Sequence, residues 1–312
     1  MTDRTGSGWL TALVGLTGGL AAIASGAGVF LRGDLATREF VTARGDTVEL
    51  LVGGVYRYNG LQIASEGVGW DLVTLCLVVP ALALTLPALF RGSLRGSLRG
   101  TLLSAGFLLY FLYQYTEYAV ALAYGPFFIL YVAIVGLSVS GLALLLSRVD
   151  VAALPARFGP RFPRRAMVAF GLYMGLLLGG LWLPLIARTF DAAGVTELYG
   201  GTTLVVQAFD LGFLVPLGLF TAVTVYRRLP VGYLLSAVVI VKGMSIAAGI
   251  VAMLVVEAFT TDVVQLVPIV IFALTALAGG AIAVRIYRGI DADALSRVEP
   301  AGPAMAHPAT SH

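Results

Sequence analysis

The sequence predicts an all-α membrane protein with eight transmembrane helices, arranged as two four-helix repeats that have the same orientation. The first observation behind this is composition, because 59% of the 312 residues are hydrophobic and only 12% are charged, against about 25% charged in soluble domains. The second is a series of apolar runs longer than about 18 residues, the length that marks a membrane-spanning helix. The third is that short segments recur in the same order in both halves of the chain.

The predicted spans each have the length needed to cross a hydrocarbon core of about 30 Å at about 1.5 Å per residue. Their approximate bounds are 9–31, 68–90, 101–123, 127–147, 166–187, 203–226, 231–256 and 264–286.

Orientation is predicted from the arginines. They concentrate in the connections at 91–100, 148–165 and 227–230, which fall on one side if there are eight spans, whereas the opposite connections are richer in Asp and Glu. Basic loops stay in the cytoplasm. We therefore expect a bacterial cytoplasmic (inner) membrane protein with both termini in the cytoplasm and the lipid bilayer as its main partner.

The longest external connection, residues 32–67, has two interpretations. The stretch TVELLVGGVYRYNGLQIAS (47–65) contains Gly53-Gly54 and Tyr58-Asn59-Gly60 as turn signals, which favours a short β-hairpin. The alternative is an irregular loop.

The recurring segments predict a tandem duplication of four helices. WDLVTLCLVVP (70–80) resembles FDLGFLVP (209–216), and GTLLSA (100–105) resembles GYLLSA (232–237). Because four spans is an even number, the halves would have the same orientation and be related by an axis along the membrane normal. The proline that ends each of the first two segments predicts a kink in its helix.

The duplication defines the predicted domains. The first repeat is 1–150, including the external segment 32–67, and the second is 151–290. The tail at 291–312, which contains both histidines (His307 and His312), is predicted to be disordered.

The chain also resembles a group of bacterial multipass membrane proteins with eight helices and no assigned activity. The resemblance lies in VYRY (55–58), the Trp70-Asp71-Leu72 helix opening, RGSLRGSLRG (91–100) and FLLYFLYQYTEYA (107–119). It implies a membrane protein of this architecture and no particular mechanism.

Glu117, Asp210 and Lys242 lie well inside predicted spans, where a charge near the bilayer centre costs about 2.5–3.5 kcal/mol and suggests a function. With the polar residues on their helical faces they predict a polar, water-accessible cavity that opens to the outer half of the membrane. The candidate residues are Tyr110, Gln114, Glu117, Gln207, Asp210 and Lys242. The competing interpretation is structural, because polar side chains also join helices in membranes.

Two further sets of residues each have a functional and a structural interpretation. Asp71 is predicted at the start of a helix, where Asp is a favoured cap. Arg91, Arg95 and Arg99 would share one face if their segment were helical, and could bind lipid headgroups. Ordinary positive-inside charge is the alternative for the arginines.

The predicted function is that of a transporter or permease for a small solute or ion, with buried carboxylates and a lysine at its centre. The alternative is a non-catalytic scaffold or sensor that recognises a ligand through 32–67. An enzyme is disfavoured, and no catalytic, cofactor or metal site is predicted, because the chain has one cysteine, Cys76, and no histidine in a span. No nucleic-acid partner is expected. A homo-oligomer is possible, but no sequence feature specifically supports one.

Overall fold

The computed structural model describes residues 5–95, 97–189, 198, 201–261 and 263–290. It is 77% helical, with one small two-stranded sheet in the part described. The predicted disorder of 291–312 lies outside the described residues, as do both histidines. The elements are α1 (Thr5–Phe30), β1 (Thr37–Val41), β2 (Thr47–Leu51), α2 (Leu61–Val73), α3 (Val79–Arg95), α4 (Leu98–Ala121), α5 (Phe128–Leu146), α6 (Leu154–Arg157), α7 (Arg164–Arg188), α8 (Val205–Phe209), α9 (Val215–Tyr226), α10 (Pro230–Thr261) and α11 (Leu266–Gly289).

Seven helices in the described part of the chain are long and apolar enough to cross a membrane, which supports a multipass membrane protein. They are Gly8–Phe30, Leu61–Phe90, Phe128–Leu146, Arg164–Arg188, Val205–Tyr226, Pro230–Thr260 and Leu266–Gly289.

The predicted third span, 101–123, is not among these seven. It is helical as α4, but it carries four tyrosines together with Gln114 and Glu117, which make it less apolar than its neighbours. Most of its residues are buried against other helices. The helix is therefore placed as a central element of the bundle.

A hairpin is present in segment 32–67, and its turn differs from the predicted one. Strands β1 and β2 pair antiparallel, with Thr37 opposite Leu51 and Val41 opposite Thr47. The chain reverses through Gly45, whose φ of +90° belongs to the region that favours glycine. The turn signals at 53–60 instead shape the connection from β2 to α2.

The condition under which Arg91, Arg95 and Arg99 would share one face, a single helix through all three, is not met. Helix α3 ends at Arg95, and α4 begins at Leu98 after an extended Ser97, whose side chain accepts a hydrogen bond from the Gly100 amide at 3.2 Å. Serine is a favoured helix N-cap, so the segment turns there rather than continuing as one helix.

Two long helices of the bundle contain a π-helical turn at a corresponding place. Thr74–Val78 separates α2 from α3, and Asp210–Leu214 separates α8 from α9. Each turn is followed by Val-Pro, at Pro80 and at Pro216. A proline ring collides with the carbonyl one turn earlier in an α-helix, and a wider turn is one way to accommodate it.

The centre of the bundle lies where α4 and α10 pack against each other and where α2 packs against α10. Glycines allow the closest of these contacts. A Cβ at Gly69 of α2 would lie 2.5 Å from the Met253 backbone of α10, and one at Gly106 of α4 would lie 2.6 Å from a methyl group of Val241. These approaches hold the first half of the chain against the second.

Replacing Gly69 with alanine is expected to destabilise the protein by about 1–3 kcal/mol, since a new methyl group would overpack the α2–α10 contact. The measurement is thermal unfolding of the purified protein in detergent. Gly26→Ala in α1 is the matched control, because nothing lies within 4 Å of a Cβ built there. Equal unfolding temperatures for the two variants would show that α2 and α10 are not packed this closely.

Candidate functional site

The ammonium group of Lys242 lies at the centre of the bundle and is surrounded by aromatic rings. The side chain is only 1% exposed. Its Nζ lies 3.9 Å from the ring centroid of Tyr113, 4.9 Å from that of Trp70 and 5.2 Å from that of Tyr110. All three distances are within the range of cation–π attraction, about 6 Å. Within the described residues this Nζ has no hydrogen-bond partner.

Two carboxyl groups interact electrostatically with Lys242, one from each half of the chain. Glu117 comes from α4; it is buried, and its Oε1 has no hydrogen-bond partner among the described residues. Asp210 begins the second π-helical turn. Its Oδ1 accepts from the Tyr113 hydroxyl at 2.5 Å, and its Oδ2 accepts from the Trp182 indole N–H at 2.7 Å.

Most of the polar residues predicted from the sequence lie in or beside this cluster. Tyr110 supplies a ring to Lys242, and its hydroxyl is 2.6 Å from that of Thr74. Gln114 is buried, and its Oε1 lacks a partner in the described structure. Gln207 is half-buried on α8, one turn before Asp210.

Three aromatic residues of the site are not among the candidates predicted from the sequence: Trp70, Tyr113 and Trp182. Two of them had a signal. Trp70 precedes the aspartate of the first recurring segment, and Tyr113 lies one turn before Glu117. Nothing in the sequence near Trp182 connects it with Asp210, because the two residues belong to different helices.

The structure is closed around the cluster. The buried members are 0–8% exposed, and two small cavities found elsewhere have other linings. One lies under the hairpin and includes Arg32, Ser65 and Thr260, and the other lies between Val55 and α5. A water-accessible opening to the outer side therefore stays a prediction. No cluster that could hold a metal occurs in the described parts of the chain.

The predicted position of Asp71 at a helix start is wrong. Helix α2 begins at Leu61, so Asp71 lies near its other end and is 2% exposed. Its Oδ2 accepts a short hydrogen bond from the Tyr56 hydroxyl, and its Oδ1 lies 3.2 Å from the Tyr118 hydroxyl. This carboxyl group is thus bound by phenols and caps no helix.

Segment 32–67 reaches into the bundle through Tyr56. This residue follows the hairpin, yet its side chain is 1% exposed. Two glycines make room for it: a Cβ at Gly28 would lie 1.5 Å from the Asp71 carboxylate, and one at Gly67 would lie 2.5 Å from the Tyr56 ring. Burial, and secondly the Asp71 charge, raise the pKa of the Tyr56 hydroxyl. The hydroxyl therefore keeps its proton and acts as the donor.

Arg99 contacts protein in this structure. Its Nε donates to the Ile290 carbonyl at 2.8 Å, and its Nη2 lies 3.4 Å from the Arg288 carbonyl. A cation satisfies the free carbonyls at a helix C-terminus, here that of α11. The side chains of Arg91 and Arg95 lie outside what the structure describes, so their role at lipid headgroups stays a prediction.

Comparison of the chain with protein-family models, with curated proteins and with solved structures finds no match. The resemblance to the bacterial eight-helix group therefore stays a prediction, and the function has to be inferred from the site itself.

Replacing Tyr56 with phenylalanine is expected to destabilise the protein by about 1–3 kcal/mol, because the buried Asp71 oxygen would lose its hydrogen bond. Thermal unfolding in detergent measures the loss, and protease cleavage of the 37–51 hairpin should become faster. Tyr58→Phe is the control, since Tyr58 is 54% exposed. If both variants unfold at the wild-type temperature, the Tyr56–Asp71 bond does not anchor the external segment.

Proposed function

We propose that the protein is a transporter for a small solute or ion, and that Lys242, Glu117 and Asp210 form its substrate-coupling site. The single observation that carries the proposal is a fully buried ammonium group with no hydrogen-bond partner in the described structure, placed beside two carboxyl groups from different halves of the chain.

The geometry favours transport over a structural link between helices. A structural ion pair in a membrane gains most when ammonium and carboxylate bond directly, because burying either charge alone is costly. Here Asp210 is satisfied by Tyr113 and Trp182, whereas Lys242 Nζ and Glu117 Oε1 have no hydrogen-bond partner among the residues that the structure describes. Buried polar atoms that lack a hydrogen-bond partner are available to a ligand or a proton.

We further propose that α4 is an eighth span. Its 24 residues correspond to about 36 Å of helix. Near one end Arg99 binds the last carbonyls of α11. Just past the other end, the Ala123 amide donates to Asn59 of the external segment at 2.8 Å. These contacts support a helix that runs from one face of the bundle to the other.

The two proposed four-helix repeats, 1–150 and 151–290, are supported by matched details of packing. A Cβ at Gly100 would lie 2.8 Å from the Ala88–Leu89 peptide, and one at Gly232 would lie 2.7 Å from the Thr224–Val225 peptide. The π-helical turns followed by Val-Pro occur at corresponding places in the two halves.

The proposed axis between the repeats would pass between α4 and α10. Tyr110 and Lys242 occupy the same place relative to GTLLSA and GYLLSA, and they contact each other. Residues at equivalent positions can touch only close to an axis that relates them. The π-helical turns begin at Thr74 in one half and at Asp210 in the other, so these two residues occupy equivalent positions. The Thr74–Tyr110 pair of the first half therefore corresponds to Asp210 and Lys242 in the second.

A sensor or scaffold is the second candidate. The observation that favours it is the external hairpin, on which Phe40 and Val41 are 50% and 62% exposed. Exposed apolar side chains on a surface element suit binding to another molecule. This surface would act without the buried cluster, so the two candidates can be separated by mutation.

In the proposed topology the protein lies in a bacterial inner membrane, and both of its termini are in the cytoplasm. In a Cys76→Ser background, Tyr124→Cys in the α4–α5 connection is expected to react with a membrane-impermeant maleimide on intact spheroplasts. Phe90→Cys, just before the 91–100 connection, should react only after permeabilisation. Tyr124 and Phe90 are 80% and 47% exposed, and α4 is the predicted span that lies between them. Labelling of both only after permeabilisation would mean that α4 does not cross.

Charge removal in the cluster is expected to abolish transport without removing the protein from the membrane. Proteoliposomes would be assayed for solute-induced currents on a solid-supported membrane, with amino acids, organic acids, sugars, alkali cations and quaternary ammonium ions as the panel. For any solute that gives a current, Lys242→Met and Asp210→Asn should each lower it at least about tenfold, a loss of about 1.4 kcal/mol or more.

Glu39→Gln on the exposed β1 strand is the control for this assay, because it removes a charge outside the membrane. No current with any solute class would overturn the transport proposal. A hairpin-tip replacement that abolishes a cellular phenotype, while the Lys242 variant keeps it, would favour the sensor.

A further inference from the structure

We infer that the solute is a small organic cation with an ammonium group, which replaces the Lys242 ammonium between the aromatic rings in exchange for the Lys242 proton. This inference rests on the proposed transport function and names its substrate class.

The rings around Lys242 have the composition of an ammonium-binding site. Trp70, Tyr110 and Tyr113 come from two different helices and converge on a single Nζ at centroid distances of 3.9–5.2 Å. Aromatic faces attract ammonium ions strongly when water is excluded, and ligands with quaternary ammonium groups are recognised in this way. The lysine thus occupies a position that would suit a ligand of the same chemistry.

The unpaired polar atoms around the rings also select for a cation. Glu117 Oε1 and Gln114 Oε1 are both buried acceptors without donors in the described structure. Asp210 adds a second carboxyl group to the cluster. An anionic solute would be repelled both by these oxygens and by the negative faces of the rings. A cation would be attracted by all of them.

Charge balance requires that cation and proton exchange one for one. With Lys242 as ammonium and Glu117 and Asp210 as carboxylates, the cluster has a net charge of −1. A second cation beside a charged lysine would suffer strong repulsion in a site without water. If Lys242 releases one proton and keeps the electron pair of that N–H bond as a neutral amine, the incoming cation restores the net charge of −1. No oxidant or further reactant is needed.

Binding of tetramethylammonium chloride to the purified full-length protein tests the inference. This probe is permanently charged, so it cannot cross or bind as a neutral base. Titration calorimetry in buffers with different ionisation enthalpies counts the protons released. We expect one proton per bound cation in the wild type, and affinity that increases about tenfold per pH unit while Lys242 is protonated. In Lys242→Ala, binding should be tighter, independent of pH and without proton release.

A ring-preserving pair of variants provides the matched control. Tyr113→Phe and Tyr113→Leu both lose the hydroxyl that donates to Asp210, and only Tyr113→Phe keeps the ring that lies 3.9 Å from Nζ. Tyr113→Leu should therefore bind the probe at least about tenfold more weakly than Tyr113→Phe, because it loses the cation–π contact. All variants would first be compared by size-exclusion profile and unfolding temperature.

Binding without proton release, loss of binding in Lys242→Ala with an intact fold, or equal binding by the two Tyr113 variants would overturn the inference. So would a wild-type protein that shows no tetramethylammonium binding but gives a current with an anionic or neutral solute, and that result would leave the transport proposal standing. No current with any solute class would instead count against transport itself.

Discussion

Polar groups inside a bilayer have no water to bind, so each of them must find its partner within the protein. For three of the buried ionisable groups, Asp71, Asp210 and Lys242, those partners are aromatic. Asp71 accepts from Tyr56, Asp210 accepts from Trp182, and the ammonium of Lys242 is enclosed by rings. Neutral donors let a carboxyl group be buried without a cation beside each one. The ammonium of Lys242, the one cation in the described core, is therefore left without a hydrogen-bond partner. The proposed chemistry depends on these unused donors.

This dependence on aromatic donors explains the composition of α4. Its tyrosines contact three different regions: Tyr115 donates to the Ala21 carbonyl of α1, Tyr118 lies beside Asp71 of α2, and Tyr113 donates to Asp210 after α8. A helix with so many polar contacts cannot face lipid, so it lies at the centre, where the other helices surround it. The same residues that make the helix central make it the least apolar of the predicted spans.

The sequence predicted what depends on local pattern and missed what depends on distant contacts. Long apolar runs identified seven spans, since hydropathy is a property of the segment itself. The start of α2 was placed too late, because Gln62 and Glu66 interrupt its apolar pattern. Asp71 was therefore interpreted as a surface cap, although it is buried together with the Tyr56 hydroxyl. Ser97 carried a helix-start signal that the regular RGSL spacing hid. Lys242, Glu117 and Asp210 were recognisable because ionisable residues are rare in spans, whereas their aromatic partners look like ordinary packing residues.

The contact between Tyr110 and Lys242 limits how alike the two halves of the chain can be. On the proposed two-fold relation, a chain with identical halves would place a second lysine where the Tyr110 ring now contacts Lys242. Two like charges about 5 Å apart repel by about 3 kcal/mol even at an effective dielectric constant of about 20. A duplicated gene could therefore keep this charge only after one copy had changed. Such a polypeptide would have one lysine at the proposed axis, so a transport cycle would exchange one unit of charge per molecule rather than two.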